Sequence, residues 1–232
     1  MPIIAVINES PEPDSDLAFW VNAIQQQLLQ DVAPFWREAS DANLVFVPRG
    51  HQAPQSAWQV VLLDNADRAD ALGYHELTAF SLPLAKVFTA TTRNDSQTIS
   101  RVLSHEIIEM VVNPYIARRQ VIGPDTYLVE TGDPVHLDRL GYEKLGVLVS
   151  NFVTPDYYRY TTGTRYDMRA LLPGPCPALV SGGVLCKVTN GQMQLVQAPD
   201  SAPREVDVMR INPGSRRARW QLGHQKWRNS LR

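Results

Sequence analysis

The sequence predicts an α+β protein in which helices lie against a sheet, followed by a loop-rich region and a basic tail. Apolar runs of strand length alternate with amphipathic helical segments up to Tyr115. After Pro155 the chain is rich in Pro, Gly and Tyr and has little helical periodicity. From Met209 onward there are seven Lys or Arg residues and no Asp or Glu.

The first elements follow from periodicity and turn residues. "IIAVIN" predicts a short strand, and Leu17–Val32 repeats apolar residues at three- and four-residue spacing. That segment predicts an amphipathic helix, which Pro34 would end. "ANLVFVP" and "AWQVVLLDN" predict two further strands.

A strand and a second long helix come next. Leu84–Thr91 is rich in β-branched and aromatic residues, and Pro83 at its start favours an edge position in the sheet. Asn94, Asp95 and Ser96 are candidate caps for the helix that follows. We expect that helix to end near Asn113, because Pro114 disfavours helical geometry in the residue before it.

Charge and composition divide the chain into three parts. Residues 1–155 form the predicted principal domain, 156–200 a loop- and strand-rich subregion packed on it, and 201–232 a basic, aromatic extension. Residues 1–208 hold 15 basic and 24 acidic groups, a net charge of −9. The extension is therefore expected to dock on an anionic protein surface, either the acidic part of the chain or a neighbouring subunit. The alternatives, in order, are a disordered terminus and binding to nucleic acid.

Composition also indicates where the protein is expected to be located. No apolar run reaches the roughly 20 residues of a membrane span, and the N-terminus lacks the features of a secretory signal. We expect a cytoplasmic protein or one associated with a virus particle, with no membrane partner. Cys176 and Cys186 are too few for a disulfide framework, so free thiols are expected, with a single bridge as the alternative.

The stretch "ISRVLSHEIIEMVVNPY" carries the chemistry. Its helix is apolar in most directions, which predicts a buried helix, and His105 and Glu109 lie one turn apart. Buried Glu106 and Glu109 need a neighbouring cation, either a metal ion or an arginine. The candidate arginines are Arg101, Arg118 and Arg119.

A metal requires further ligands. "YLVETGDPVH", a short distance downstream, brings Glu130, Asp133 and His136 close together in sequence. A catalytic zinc site needs three protein ligands and an open position, and zinc accepts carboxylate oxygen as well as imidazole nitrogen.

Four segments carry a resemblance to known proteins: "GYHELTAFSLPLAKVF", "LSHEIIEMVVNPY", "ETGDPV" and "GVLVSNFVTPDYY". Together they resemble the zincin metallopeptidases and, more closely, an uncharacterised bacterial and phage family with an S-H-E-x-x-E motif. The resemblance covers roughly Gly73 to Arg165. It implies a zincin-like mixed sheet with an edge strand over a cleft and an active-site helix beneath it.

The resemblance also implies roles for individual residues. His105, Glu109 and Glu130 would bind Zn²⁺ or another divalent metal, and Glu106 would be the catalytic base. Asp133 would accept the other N–H of His105 or replace Glu130 as a ligand, with His136 as a third alternative. Candidates for stabilising an oxyanion are Tyr157, Tyr158, Tyr166 and His75, although packing roles for the tyrosines and a surface or strand-end position for His75 are the simpler interpretation.

Three functions remain open from the sequence, and the last of them is a metal hydrolase that acts on something other than a peptide. The first is a zinc-dependent metallopeptidase-like protein acting on a protein or peptide. The second is a phage virion or assembly component that uses a zincin-like fold as a scaffold, with a structural or vestigial metal site. Glu109 stands where metallopeptidases have a second histidine, and its negative charge would make a metal-bound water less acidic, which leaves activity open.

Overall fold

The computed structural model describes residues 2–67, 72–189 and 192–197. The basic extension, residues 201–232, and the partners expected for it lie outside the described residues. The described elements are β1 (Ile3–Glu9), α1 (Asp14–Gln27), β2 (Asn43–Val47), β3 (Trp58–Leu63), β4 (Gly73–Leu77), β5 (Pro83–Phe88), α2 (Thr89–Asn94), α3 (Ile99–Val112), β6 (Arg119–Ile122), β7 (Asp125–Leu128), β8 (Tyr142–Lys144), β9 (Val147–Val149), β10 (Val184–Thr189) and β11 (Gln192–Gln197).

The first sheet has five strands in the order β2-β1-β3-β5-β4. Its first four strands are parallel, and β4 is antiparallel to β5. A second sheet has the order β11-β10-β7-β6, and β8 pairs with β9 in a hairpin. The predicted α+β class with a mixed sheet is confirmed.

Both long helices cover the same face of the first sheet. Apolar side chains of α1 and α3 share one buried cluster with alternate residues of the central strands, including Val6, Val60 and Val87. The opposite face has a smaller cluster around Ala5 and Ile7. The helix predicted for Leu17–Val32 is α1 together with a π-helical segment, Leu28–Val32.

The edge position predicted for Leu84–Thr91 is wrong. β5 lies between β3 and β4, and the edge strands are β4 on this side and β2 on the other. Pro83 is tolerated because it is the first residue of β5, so its missing N–H falls at the end of the ladder. The strand also ends earlier than predicted, since residues from Thr89 onward form α2.

The second sheet combines strands from both sides of the predicted boundary at residue 155. β6 and β7 precede that boundary, whereas β10 and β11 follow it. Cys176 and Cys186 are buried free thiols, as expected. Among the helices of the described residues, none combines the length and apolarity needed to cross a membrane.

Candidate metal centre

α3 carries three candidate residues into the interior. All fourteen of its residues are buried, which confirms the predicted buried helix. His105, Glu106 and Glu109 are 7, 4 and 4% exposed. Bonds from other elements fix the helix: the Asp138 carboxylate accepts the Thr98 N–H at 2.8 Å, and the Ser104 hydroxyl donates to Gln27.

The candidate arginines make their hydrogen bonds elsewhere, although the charge of Arg101 interacts with that of Glu106. Arg101 donates to the Asp138 carboxylate at 2.9 Å and to Gln97. Arg118 donates to Glu38 at 2.6 Å and to the Val112 carbonyl. The side chain of Arg119 is on an exposed part of β6.

The segment after β7 meets α3 at Glu109. Glu109 Oε1 accepts the backbone N–H groups of Gly132 and Asp133 at 3.0 and 3.3 Å. Its other oxygen, Oε2, lies 3.5 Å from His105 Nε2, and Asp133 Oδ1 lies 3.6 Å from the same nitrogen. His105, Glu109 and Asp133 therefore present three metal-ligand atoms to one point, all within 4.8 Å of one another.

The other ring nitrogen of His105 has a different environment. In the described part of the chain, buried Nδ1 has no hydrogen-bond partner. It packs directly on Gly132, where an added Cβ would overlap the imidazole ring. Asp133 thus lies near Nε2 of His105, the nitrogen that faces Glu109. It does not lie near Nδ1, as it would if Asp133 accepted the second N–H of a metal-bound His105.

Glu130 lies beside a different histidine. Its Oε2 is 3.6 Å from Nε2 of His75, and the Glu130 side chain is 2% exposed. His75 Nδ1 lies 3.7 Å from Glu109 Oε2 and 4.0 Å from Glu106 Oε2. His75, Glu106 and Glu109 form a second group of ligand atoms within 4.8 Å, and Glu109 belongs to both groups.

The interpretation of His75 as a surface or strand-end residue is wrong. His75 is central in β4 and 3% exposed. It is opposite Ala85, a residue of the face that packs on α3, so its side chain points to the same face. The two-residue repeat of a strand places His75 on the same face of "GYHEL" as Gly73 and Leu77. Only the pairing of β4 with β5 reveals that this face packs on α3.

Electrostatic attraction between His105 and Glu109 shifts the pKa values of both groups. Burial, the largest single effect, would lower the pKa of His105, but the combined effects of Glu109, Glu106 and Asp133 outweigh burial and raise that pKa to about 9. Burial would raise the pKa of Glu109, but the contacts with His105 and His75 and the Gly132 N–H lower it to about 2. Without a metal, His105 and Glu109 form a buried ion pair.

His136, the third alternative ligand, contacts the backbone of the turn in which it lies. Its Nδ1 lies 2.9 Å from the Asp133 carbonyl oxygen. Burial, followed by the positive charges of His105 and Arg101, lowers its pKa to about 4. His136 is in neither of the two groups of ligand atoms found among the described residues.

The tyrosines suggested for an oxyanion are packed and hydrogen-bonded. The Tyr157 hydroxyl donates to the Ala178 carbonyl at 2.7 Å, and the Tyr158 hydroxyl to the Glu130 carbonyl at 3.0 Å. Burial raises the pKa of both well above the ordinary value for tyrosine. Tyr158 therefore positions the backbone beside Glu130, and partly buried Tyr166 packs against the main apolar cluster.

The separations between donor atoms suit a small divalent ion. Two donors each about 2.1 Å from one ion, at a tetrahedral angle, are roughly 3.4 Å apart. The distances from His105 Nε2 to Glu109 and Asp133 are 3.5 and 3.6 Å. Little rearrangement would bring these donors into coordination.

Comparison with known proteins assigns no relative. No family model, curated protein or solved structure matches the chain.

Proposed function

We propose that this protein is a divalent-metal-dependent hydrolase of the metallopeptidase type, with the ion held by His105, Glu109 and Asp133. The observation that carries the proposal is the convergence of one imidazole nitrogen and two carboxylate oxygens, from α3 and the segment after β7, on a single buried point. Two hydrogen bonds from backbone N–H groups to Glu109 Oε1 orient that carboxylate so that its other oxygen can bind the ion.

Glu106 is the candidate base in this proposal. A divalent ion, when bound, supplies Lewis acidity and lowers the pKa of a water molecule. Glu106 follows His105 directly on α3 and is 4% exposed, and its group of ligand atoms shares Glu109 with the group at His105. Its carboxylate can accept a proton from water and return it to a leaving group.

The ligand charges make Mn²⁺ an alternative to Zn²⁺, the usual ion of peptidases. Glu109 and Asp133 contribute two negative charges, which offset the charge of one divalent ion and make its water less acidic. Oxygen-rich ligand sets suit Mn²⁺ better than sulfur- or nitrogen-rich sets do. We therefore expect activity with Zn²⁺ or Mn²⁺, at a lower rate than a site with two histidines would give.

A protein or peptide is the expected substrate. β4 is one of the two edge strands of the first sheet and carries His75 toward α3. An extended peptide can add to such an edge through main-chain hydrogen bonds, which would bring its carbonyl groups near the metal centre. The side chain of Asp133, 27% exposed, is the most accessible of the three proposed ligands.

A structural metal is the second candidate function. The low exposure of His105 and Glu109, 8 and 5% for their side chains, favours an ion that joins α3 to the segment after β7. Such a clip would suit the scaffold role in a virus particle, whereas the hydrolase suits either that location or the cytoplasm. Loss of the ion would then affect stability without any catalytic consequence.

Three variants separate these functions. Glu109→Gln should lose the ion and hydrolysis, whereas Glu106→Gln should retain the ion at His105 and lose hydrolysis of a peptide library assayed with Mn²⁺ or Zn²⁺. Glu143→Gln, an exposed change in β8, is the matched control and should leave both unchanged. A metal-loaded wild type without peptide hydrolysis would contradict the hydrolase and favour the structural clip.

A further inference from the structure

We propose that His75, Glu106 and Glu109 form a second divalent-cation site, so that the Glu109 carboxylate bridges two ions. This inference rests on the proposed function, because it extends the site at His105 to a two-metal centre. The donors are His75 Nδ1 with Glu106 Oε2 at 4.0 Å and Glu109 Oε2 at 3.7 Å. Their side chains are 2, 6 and 5% exposed.

The orientation of His75 supports a role as ligand. Glu130 Oε2 lies 3.6 Å from Nε2, the ring nitrogen opposite the one that faces α3. Histidine ligands commonly donate their second N–H to a carboxylate, which fixes the tautomer and leaves the first nitrogen for the metal. With the proton on Nε2, the lone pair of Nδ1 points toward Glu106 and Glu109. Glu130, predicted as a ligand at His105, is thereby placed to position His75, through a contact of 3.6 Å that must shorten slightly to become a hydrogen bond.

The backbone of β4 is adapted to this arrangement. Gly73 and His75 lie on the face of β4 that packs on α3. A Cβ added at Gly73 would lie 2.6 Å from Glu106 Oε1 and 2.9 Å from its Cγ, so a larger residue would displace the Glu106 side chain. Glycine at this position permits Glu106 to lie under the strand, next to His75.

Charge favours two ions over one. Glu106, Glu109, Glu130 and Asp133 carry four negative charges when ionised, and one divalent ion with neutral histidines would leave an excess of two. Isolated buried charge is strongly unfavourable, whereas two divalent ions balance the four carboxylates. The proposed ligands, two histidines and three carboxylates, are close to the two histidines and four carboxylates of carboxylate-bridged two-metal centres in helical bundles. In the doubly loaded protein Glu106 is a ligand of the second ion, and the base role described above applies to the singly loaded protein.

Titration with Mn²⁺ tests the inference on the full chain. Metal-free wild type should bind two equivalents, and His75→Asn should bind one. His51→Asn, a change at an exposed histidine outside both groups of ligand atoms, should still bind two. Electron paramagnetic resonance of wild type with two equivalents should show exchange-coupled Mn²⁺ pairs, and His75→Asn should show isolated ions only.

The outcomes distinguish this inference from the proposed function. Saturation of wild type at one equivalent, with the same affinity in His75→Asn, would overturn the second site and leave the ion at His105 intact. Binding of no metal by wild type would overturn both proposals. If His75→Asn fails to fold, the resonance spectrum of wild type decides the question, because isolated ions at two equivalents would also overturn the bridged centre.

Discussion

At the scale of single residues, His105 is the group at which a proton would compete with the proposed metal ion. Its contact with Glu109 raises its pKa to about 9 in the metal-free protein, above the value of 6.5 expected when unfolded. The ion pair therefore stabilises the metal-free fold fully between pH 4.5, the ordinary pKa of Glu109, and pH 6.5. This contribution is lost as the pH rises through about 9 or falls through about 2. Metal binding has the opposite dependence, because the ligand must first lose its proton.

We predict that affinity for Mn²⁺ or Zn²⁺ rises with pH, by up to about tenfold per unit below pH 9, since His105 must release one proton. Competition titrations at pH 6, 7 and 8 measure this slope. In chelator, the free energy of unfolding should fall from pH 6.5 to 9 relative to a His105→Gln variant, which lacks the ion pair. An affinity independent of pH over this range would contradict coordination by His105.

At the scale of elements, the position of α3 depends on Asp138. That carboxylate caps the helix through Thr98 and pairs with Arg101, whose side chain is 3% exposed. Burial lowers the pKa of Arg101, and the bond to Asp138 counteracts this effect. A charge so deeply buried is tolerated because its partner is fixed by the same turn that begins the helix.

Asp138→Ala should destabilise the protein by about 3–5 kcal/mol, because it leaves the Arg101 charge buried without its partner and removes a helix cap. Urea denaturation monitored by circular dichroism measures the change. Asp125→Ala removes a partly exposed pair with Lys187, at 2.7 Å, and should cost only about 0–1 kcal/mol. Equal effects of the two changes would show that Asp138 does not anchor α3.

At the scale of the whole molecule, the candidate centre joins separate parts of the chain. His75 comes from the first sheet, Glu106 and Glu109 from α3, and Asp133 from the segment that follows β7 of the second sheet. Ligand atoms held by three elements are in place only when all three are folded. Metal binding should therefore stabilise the assembled fold rather than one local segment.

Metal at 100 times its dissociation constant should stabilise the fold by about 2.7 kcal/mol. For a chain of this size, that corresponds to a rise in Tm of about 5–10 °C. Differential scanning calorimetry with and without chelator measures the shift. Glu109→Gln should abolish it, because Glu109 belongs to both groups of ligand atoms. A shift that persists in Glu109→Gln would place the ion elsewhere.

Much of the fold and part of the site could be predicted from the sequence. The buried helix around His105 and its end before Pro114 followed from local periodicity and proline geometry. Which strand lies at the edge could not be predicted. Pro83 removes only one ladder hydrogen bond, its own, and this does not determine whether another strand pairs with the rest of β5. Local signals describe an element but not its neighbours.

The sequence by itself determined that α3 would carry one imidazole and two carboxylates into the interior, because that depends only on the helical repeat and on apolar burial. Only the tertiary structure decided which groups meet them. Asp133 reached His105 because the Gly132 and Asp133 N–H groups bind Glu109, and His75 reached α3 because it faces inward opposite Ala85. Such long-range contacts depend on strand order and register, which no local pattern encodes.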